Sequence, residues 1–236
     1  MNRIVVLRKY TLPAVLLFCA GLVVLGISRV GSAEQVSAGT GRPAVLIDPG
    51  HGGMDGGSSG ADGTRESDLN LAVSLPLRDM LALMGYEVSM TRESDVSIHD
   101  EGADTIREKK VSDMRNRLKL YNAAEAVISI HQNTFTQTKY WGTQIFYAPA
   151  NPESQRLADC LRGRVISALQ PDNKRELKRG SPDIFLMDGA KQPTALVECG
   201  FLSNPSDLEK IKDPEYRKVF ALALAAGYVD WDAGSP

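Results

Sequence analysis

Two apolar runs in this chain each end on a histidine. The first is Val45-Leu46-Ile47-Asp48-Pro49-Gly50-His51-Gly52-Gly53, and the second is Ala126-Val127-Ile128-Ser129-Ile130-His131-Gln132-Asn133. Runs of this length, bounded by glycine or polar residues, read as buried strands. From Pro43 onward strand-like and helix-like patterns alternate. That predicts an α/β fold: a single domain with a mostly parallel twisted sheet flanked by helices, preceded by an N-terminal hydrophobic segment. In open sheets of this kind chemistry collects where strands end and loops begin. The two imidazoles fall at such ends.

The remaining elements follow from local patterns. Residues 50–63, rich in glycine and serine, predict a loop. A helix is expected from about Ser67 to Met84, with a stripe of Leu69, Ala72, Leu75 and Leu83. Pro76 inside it should kink or split it, and Gly85 should stop it. Tyr86 to Thr91 reads as a strand and Arg92 to Lys110 as a charged surface loop. Ser112 looks like the cap of a helix to about Ala124, with Met114, Leu118 and Tyr121 at helical spacing. Thr143 to Ala148 alternates as a strand does. Pro152 opens a helix to about Leu169. Ile184 to Met187 and Thr194 to Val197 read as short strands, the latter ending in Glu198. Asp213 with Pro214 opens a last helix to about Trp231.

The N-terminus reads as an address. Residues Thr11 to Ile27 are almost entirely apolar, and Arg3, Arg8 and Lys9 precede them. A full span needs roughly 20 apolar residues, so the run is marginal as an anchor and long for a signal peptide. The positive flank places the rest of the chain outside the cytoplasmic membrane. Gly31, Ser32 and Ala33 offer a cleavage site, but a retained anchor is the favoured reading. The expected layout is a signal-anchor or signal peptide over 1–29, a linker over 30–42 and a catalytic domain over 43–232.

With 236 residues, the chain is long enough for one well-buried domain. A formal net charge of −2 gives no global attraction to nucleic acid, so no nucleic-acid partner is expected. The local basic run of Lys174, Arg175, Lys178 and Arg179 reads as a solvated loop rather than a polymer-binding patch. Three cysteines make no disulfide framework. Cys160 and Cys199 read as small buried side chains.

Two imidazoles at two strand ends, with Glu66 and Glu198 available, suggest a zinc site that hydrolyses something. Catalytic zinc usually takes three protein ligands from histidine and carboxylate and leaves a fourth position for water. It brings the pKa of that water to about 7 and polarises the carbonyl under attack. A carboxylate that is not a ligand can then carry the proton to the leaving amine. No H-E-x-x-H helix is present, and on physical grounds alone the third ligand is Asp55, Asp62, Glu66 or Asp68. Asp48 and Asp55 are candidates for fixing the first loop or a ligand histidine. Asn133 is a candidate for orienting the His131 loop. His99 reads as a lone solvated histidine.

Taken in order, the segment ending at His51, then Glu66, then Ser129-Ile130-His131-Gln132-Asn133, then Leu196-Val197-Glu198-Cys199-Gly200-Phe201-Leu202-Ser203-Asn204 form a recognisable series. They resemble the zinc-dependent N-acetylmuramoyl-L-alanine amidases of the Amidase_3 family, over essentially all of Pro43 to Trp231. The resemblance implies His51, Glu66 and His131 as ligands of Zn2+, and Glu198 as general base and acid. It implies a peptidoglycan substrate, cut between N-acetylmuramic acid and the L-alanine of the stem peptide. One hydrophobic segment before a bare catalytic domain is similar to family members that act on the spore cortex of spore-forming bacteria. There the expected step precedes muramic-δ-lactam formation. A vegetative amidase of cell separation and a zinc peptidase acting within the stem are the alternatives. Gln132 stands where many relatives carry a small residue, and would narrow the pocket. A cysteine hydrolase using Cys199 and a non-catalytic wall-binding protein are the readings from other classes. A wall hydrolase outside the membrane needs restraint, so a membrane-associated activator is expected, with Arg92 to Lys110 as a contact surface.

Overall fold

The structure, a computed structural model, describes residues 44–234. The expectations for the N-terminal apolar segment and its linker lie outside the described residues. Among the described residues no helix is long and apolar enough to cross a membrane.

Six strands form one mixed sheet. They are β1 (Val45–Pro49), β2 (Val88–Met90), β3 (Ala126–Asn133), β4 (Gln144–Tyr147), β5 (Lys178–Arg179) and β6 (Thr194–Phe201), in the spatial order β2-β1-β3-β6-β4-β5. β2, β1, β3 and β6 run parallel to one another. β4 runs antiparallel to β6, and β5 pairs parallel with β4. One edge of the sheet is therefore reversed relative to the rest.

Among the described residues, six helices cover the two faces. They are α1 (Glu66–Leu83), α2 (Ile106–Ala123), α3 (Glu153–Leu169), α4 (Phe185–Gly189), α5 (Pro205–Lys212) and α6 (Pro214–Asp232). The larger core joins Val45, Ile47, Ile128, Ile130 and Val197 of the sheet to α1, α3, α5 and α6. On the other face Leu46, Val127 and Leu196 pack against Tyr121 of α2 and Leu186 and Met187 of α4. Alternate residues of each strand serve the two faces, as the two-residue period of a strand requires.

Several local expectations are corrected. Pro76 does not split α1, which runs unbroken on both sides of it. One missing backbone donor is offset by Leu69, Val73, Leu77 and Leu81, all buried in the larger core. That is the buried stripe, and Leu83 lies 89% exposed. The segment Arg92 to Lys110 is not all loop. α2 begins at Ile106 under a reciprocal cap, in which the Thr105 hydroxyl accepts from the Glu108 amide and the Glu108 carboxylate accepts from the Thr105 amide. Ile184 to Met187 is not a strand. The amides of Met187 and Asp188 return to the carbonyl of Ile184 and start α4. A four-residue apolar run does not distinguish the two by periodicity. Asn204 caps α5, its side-chain oxygen accepting from the amides of Ser206 and Asp207.

Candidate metal centre

The site lies where β1, β3 and β6 finish. His51 follows β1 by two residues, His131 lies within β3, and Glu198 on β6 is the register partner of His131. Glu66 comes from the other direction, as the first residue of α1, and its side chain is buried.

Glu66 is the point on which the two histidines converge. Its Oε1 lies 2.9 Å from His131 Nδ1 and 3.3 Å from His51 Nε2. Its Oε2 accepts from the Ser58 amide at 2.9 Å, so one carboxylate oxygen is anchored and the other faces the imidazoles. Behind His51, Asp55 Oδ2 lies 2.9 Å from Nδ1, and Lys110 Nζ lies 3.1 Å from the other Asp55 oxygen. That pair turns the His51 Nε2 towards Glu66. Two glycines make the approach possible. A side chain at Gly50 would start 2.1 Å from His131 Nε2, and one at Gly57, whose φ is +67°, would start 2.6 Å from Glu66 Oε2.

The donor set fits a dication. His51, Glu66 and His131 each offer one ligand atom, and these atoms lie within 4.8 Å of one another. With zinc–ligand distances of about 2.0–2.1 Å, tetrahedral ligands stand roughly 3.3 Å apart, so the spacing is close to what zinc takes. The electrostatics agree. Burial disfavours charge on His51, yet its hydrogen bond to Glu66 and the charges of Glu66 and Asp55 raise its pKa to about 9. The Glu66 carboxyl is buried too, but the two imidazoles hold it well below the usual carboxylate range. The three groups together favour positive charge in their midst, which a bound cation supplies.

Glu198 stands apart from this set. Its Oε2 is shut away from solvent and has no hydrogen-bond partner among the described residues. Burial raises its pKa to about 7, opposed by the His131 and His51 imidazoles and reinforced by the Glu66 charge. It is a carboxyl that exchanges a proton near neutral pH.

A second layer of charge holds the His51 loop from beneath, and the sequence reading missed two of its members. Asp48 is fully buried, paired with Arg117 and bonded by the hydroxyls of Thr91, Tyr121 and Ser129. Burial pushes its carboxyl up, but Arg117 and the hydroxyls outweigh that and bring it down to about 2. Arg117 also donates to the carbonyls of Pro49 and His51, at 3.1 and 2.8 Å, and to Asp113. Arg92 donates to the carbonyls of Pro49 and Gly50, at 3.0 Å each, and to Ser67 at 2.8 Å. Two arginines thus grip three consecutive carbonyls of the loop that carries His51. They hold His51 at φ +61°, a left-handed backbone that costs roughly 1–2 kcal/mol for a residue with a Cβ. The readable signal for Arg117 was its place in the helical stripe of Met114, Leu118 and Tyr121. A charge inside an apolar stripe needs a buried partner.

The other candidates lie elsewhere. Asp62 pairs with Lys212, and Asp68 with Arg65 at 2.7 Å. His99 bonds Ser97. Gln132 does not narrow the site, because its amide reaches Asn70 of α1 at 3.2 Å beneath the site. The Cys199 thiol is buried in the larger core, and burial pushes its pKa far up, which leaves no thiolate nucleophile.

Comparison with known proteins agrees with this geometry. Residues 45–229 match the Amidase_3 family, described as N-acetylmuramoyl-L-alanine amidase. The chain is 37% identical over 196 residues to the germination-specific N-acetylmuramoyl-L-alanine amidase of Bacillus subtilis, which covers 81% of each chain. Among solved structures, the CwlD amidase from Clostridioides difficile, in complex with the GerS lipoprotein, superposes with a TM-score of 0.78 at 34% identity. It covers 82% of this chain and 100% of its own. An N-acetylmuramoyl-L-alanine amidase from Clostridium difficile 630 has a TM-score of 0.70 at 26% identity, covering 80% of this chain and 96% of its own.

Proposed function

This chain belongs to the N-acetylmuramoyl-L-alanine amidase family, and on that premise we propose that it hydrolyses the amide between N-acetylmuramic acid and the L-alanine of the peptidoglycan stem. The observation that carries the reading is the convergence of His51 Nε2 and His131 Nδ1 on Glu66 Oε1, next to a Glu198 carboxyl with an unpartnered oxygen.

In this reading His51, Glu66 and His131 hold zinc. Bound there, the metal supplies Lewis acidity to the scissile carbonyl and lowers the pKa of the attacking water. Glu198 takes one proton from that water as its oxygen adds to the lactyl carbonyl carbon. It then delivers the proton to the alanine nitrogen as the C–N bond breaks. The products are a muramic acid carboxylate and a peptide with a free L-alanine amino group, which takes up the remaining proton of the new acid as an ammonium. A pKa near 7 suits a group that must accept and release a proton in one cycle, and a bound dication pulls it lower. Asp55 keeps the His51 ring turned, and Arg92 and Arg117 keep its backbone in place.

The test uses protein stripped of metal and then reloaded with zinc, incubated with purified peptidoglycan. Mass spectrometry should find intact stem peptides starting at L-alanine only with the loaded form. Glu198→Gln should keep its zinc and lose about 10²–10⁴-fold in turnover, the usual range for a general acid–base group. New ends inside the peptide would make it a peptidase. Wild-type turnover in Glu198→Gln would remove Glu198 from the mechanism.

The place of action proposed is the spore cortex, as the step before muramic-δ-lactam formation. The likeness to the germination-specific amidase of Bacillus subtilis and to CwlD supports it. Cortex lacking the lactam in a strain without this gene is the expected result. A membrane-associated protein partner is proposed as well, supported by the lipoprotein bound to CwlD. The chain is proposed to reside outside the cytoplasmic membrane, held by its N-terminal apolar segment or released from it.

A further inference from the structure

In the basic run near residue 175, Lys174, Lys178 and Arg179 are exposed as a solvated segment requires, while Arg175 is half-buried. Arg175 and Lys178 line a groove of about 370 Å³, together with Tyr140, Phe201, Asn133 and Gln144. The groove adjoins the metal centre on the same face of the sheet. Gln144 of β4 is the register partner of Glu198, and Lys178 of β5 is the partner of Phe146, two residues further along β4. Paired residues, and residues two apart, point to one side of a sheet. The side chains of His131, Glu198, Gln144 and Lys178 therefore share a face.

Among the described residues no acidic side chain neutralises the charges in this groove. Arg175 donates from Nε to the carbonyl of Trp141 at 2.8 Å, and its guanidinium stacks 4.6 Å above the Phe201 ring. Neither Arg175 nor Lys178 forms an ion pair with an acidic side chain among the described residues, and no acidic residue lines the groove. A guanidinium has five N–H donors in a fixed fork suited to a carboxylate, and stacking on Phe201 fixes its plane. The distance also fits. Neighbouring strands lie about 4.8 Å apart, so β5 is roughly 10 Å from β6, which is about three residues of extended peptide.

We propose that this groove is the subsite for the peptide leaving the scissile amide, and that Arg175 and Lys178 bind a free carboxylate two or three residues beyond the cut. The backbone and alkyl parts of the peptide cross Tyr140 and Phe201. This rests on the amidase reading of the neighbouring centre, and it adds a preference for acidic peptides.

The test compares two synthetic muramoyl peptides that differ only in that carboxylate, free in one and amidated in the other. Zinc-loaded full chain should cleave the free form with about tenfold higher kcat/KM, mostly through KM, because binding at a distance acts on ground and transition states alike. The preference should shrink as salt rises. Arg175→Gln with Lys178→Gln should bring the ratio of the two substrates close to one. Lys178→Glu, at an exposed position, should turn the ratio towards the amidated peptide. A wild-type enzyme that cleaves both peptides equally overturns the subsite and leaves the amidase reading intact. An unchanged ratio in both variants also overturns it. A ratio insensitive to amidation, with activity that falls when the glycan is shortened, assigns the groove to sugar and overturns the proposal too. Failure to cleave either peptide with zinc confirmed in place overturns the amidase reading itself.

Discussion

Two pairs of basic residues flank the metal centre, and they stand in opposite conditions. Arg92 and Arg117 are buried beneath the His51 loop, and their guanidiniums are bonded to carbonyls, with Arg117 paired to Asp48 and Asp113 as well. Arg175 and Lys178 lie at the reversed edge of the sheet without a carboxylate partner among the described residues. A buried charge must be fully paired or it destabilises the fold, so Arg92 and Arg117 serve geometry. A half-open charge pays no such penalty and remains available to a ligand. On the proposed reading, the difference separates what holds the catalytic groups from what selects the substrate.

The comparison breaks most visibly at Arg117. Arg117→Met leaves Asp48 buried and uncompensated, and should cost about 3–5 kcal/mol of stability. Denaturant unfolding reads this directly, and a loss below about 1 kcal/mol would mean the loop does not depend on the pair. A smaller effect is expected at Asp55, which orients a histidine without carrying the loop. Asp55→Asn should weaken zinc binding about 10–100-fold while leaving unfolding of the metal-free protein little changed. Competition with a chelator measures the first and thermal melting the second. The smallest effect on stability belongs to the other pair. Arg175→Met should shift stability by no more than about 0.5–1 kcal/mol, since it forfeits one exposed hydrogen bond and the stacking on Phe201 but no buried charge. A loss comparable to that of Arg117→Met would erase the distinction.

How much of this was legible beforehand follows the same division. β1, β3 and β6 were readable because each is a short apolar run stopped by glycine or a polar group, and that placed His51, His131 and Glu198 at one end of the sheet. The capping box at Thr105 and Glu108 was also written in the chain, but the surrounding charges suggested a loop. Glu66 was one of four acids that spacing alone left open, because helix α1 had to fold back before its first residue could face two histidines. Arg92 and Arg117 were invisible as a clamp, since the carbonyls of the His51 loop that they grip lie more than forty residues away in sequence for Arg92 and over sixty for Arg117. The meaning of Arg175 and Lys178 depended on which strands pair. A basic run next to an antiparallel edge cannot be told from a solvated loop until the register is known.

The reversed strand β4 has a consequence for how such an enzyme can be altered. Because β4 runs against β6, the chain from Thr134 to Thr143 passes over the same end of the sheet as the catalytic groups and returns beside Glu198. It brings Phe135 and Tyr140 to the groove, yet supplies none of the three convergent donors. The molecule is thus divided like a tool with a fixed handle and an exchangeable bit. Lengthening, shortening or grafting that one connection is a route to new wall-cleaving preferences on an unchanged chassis.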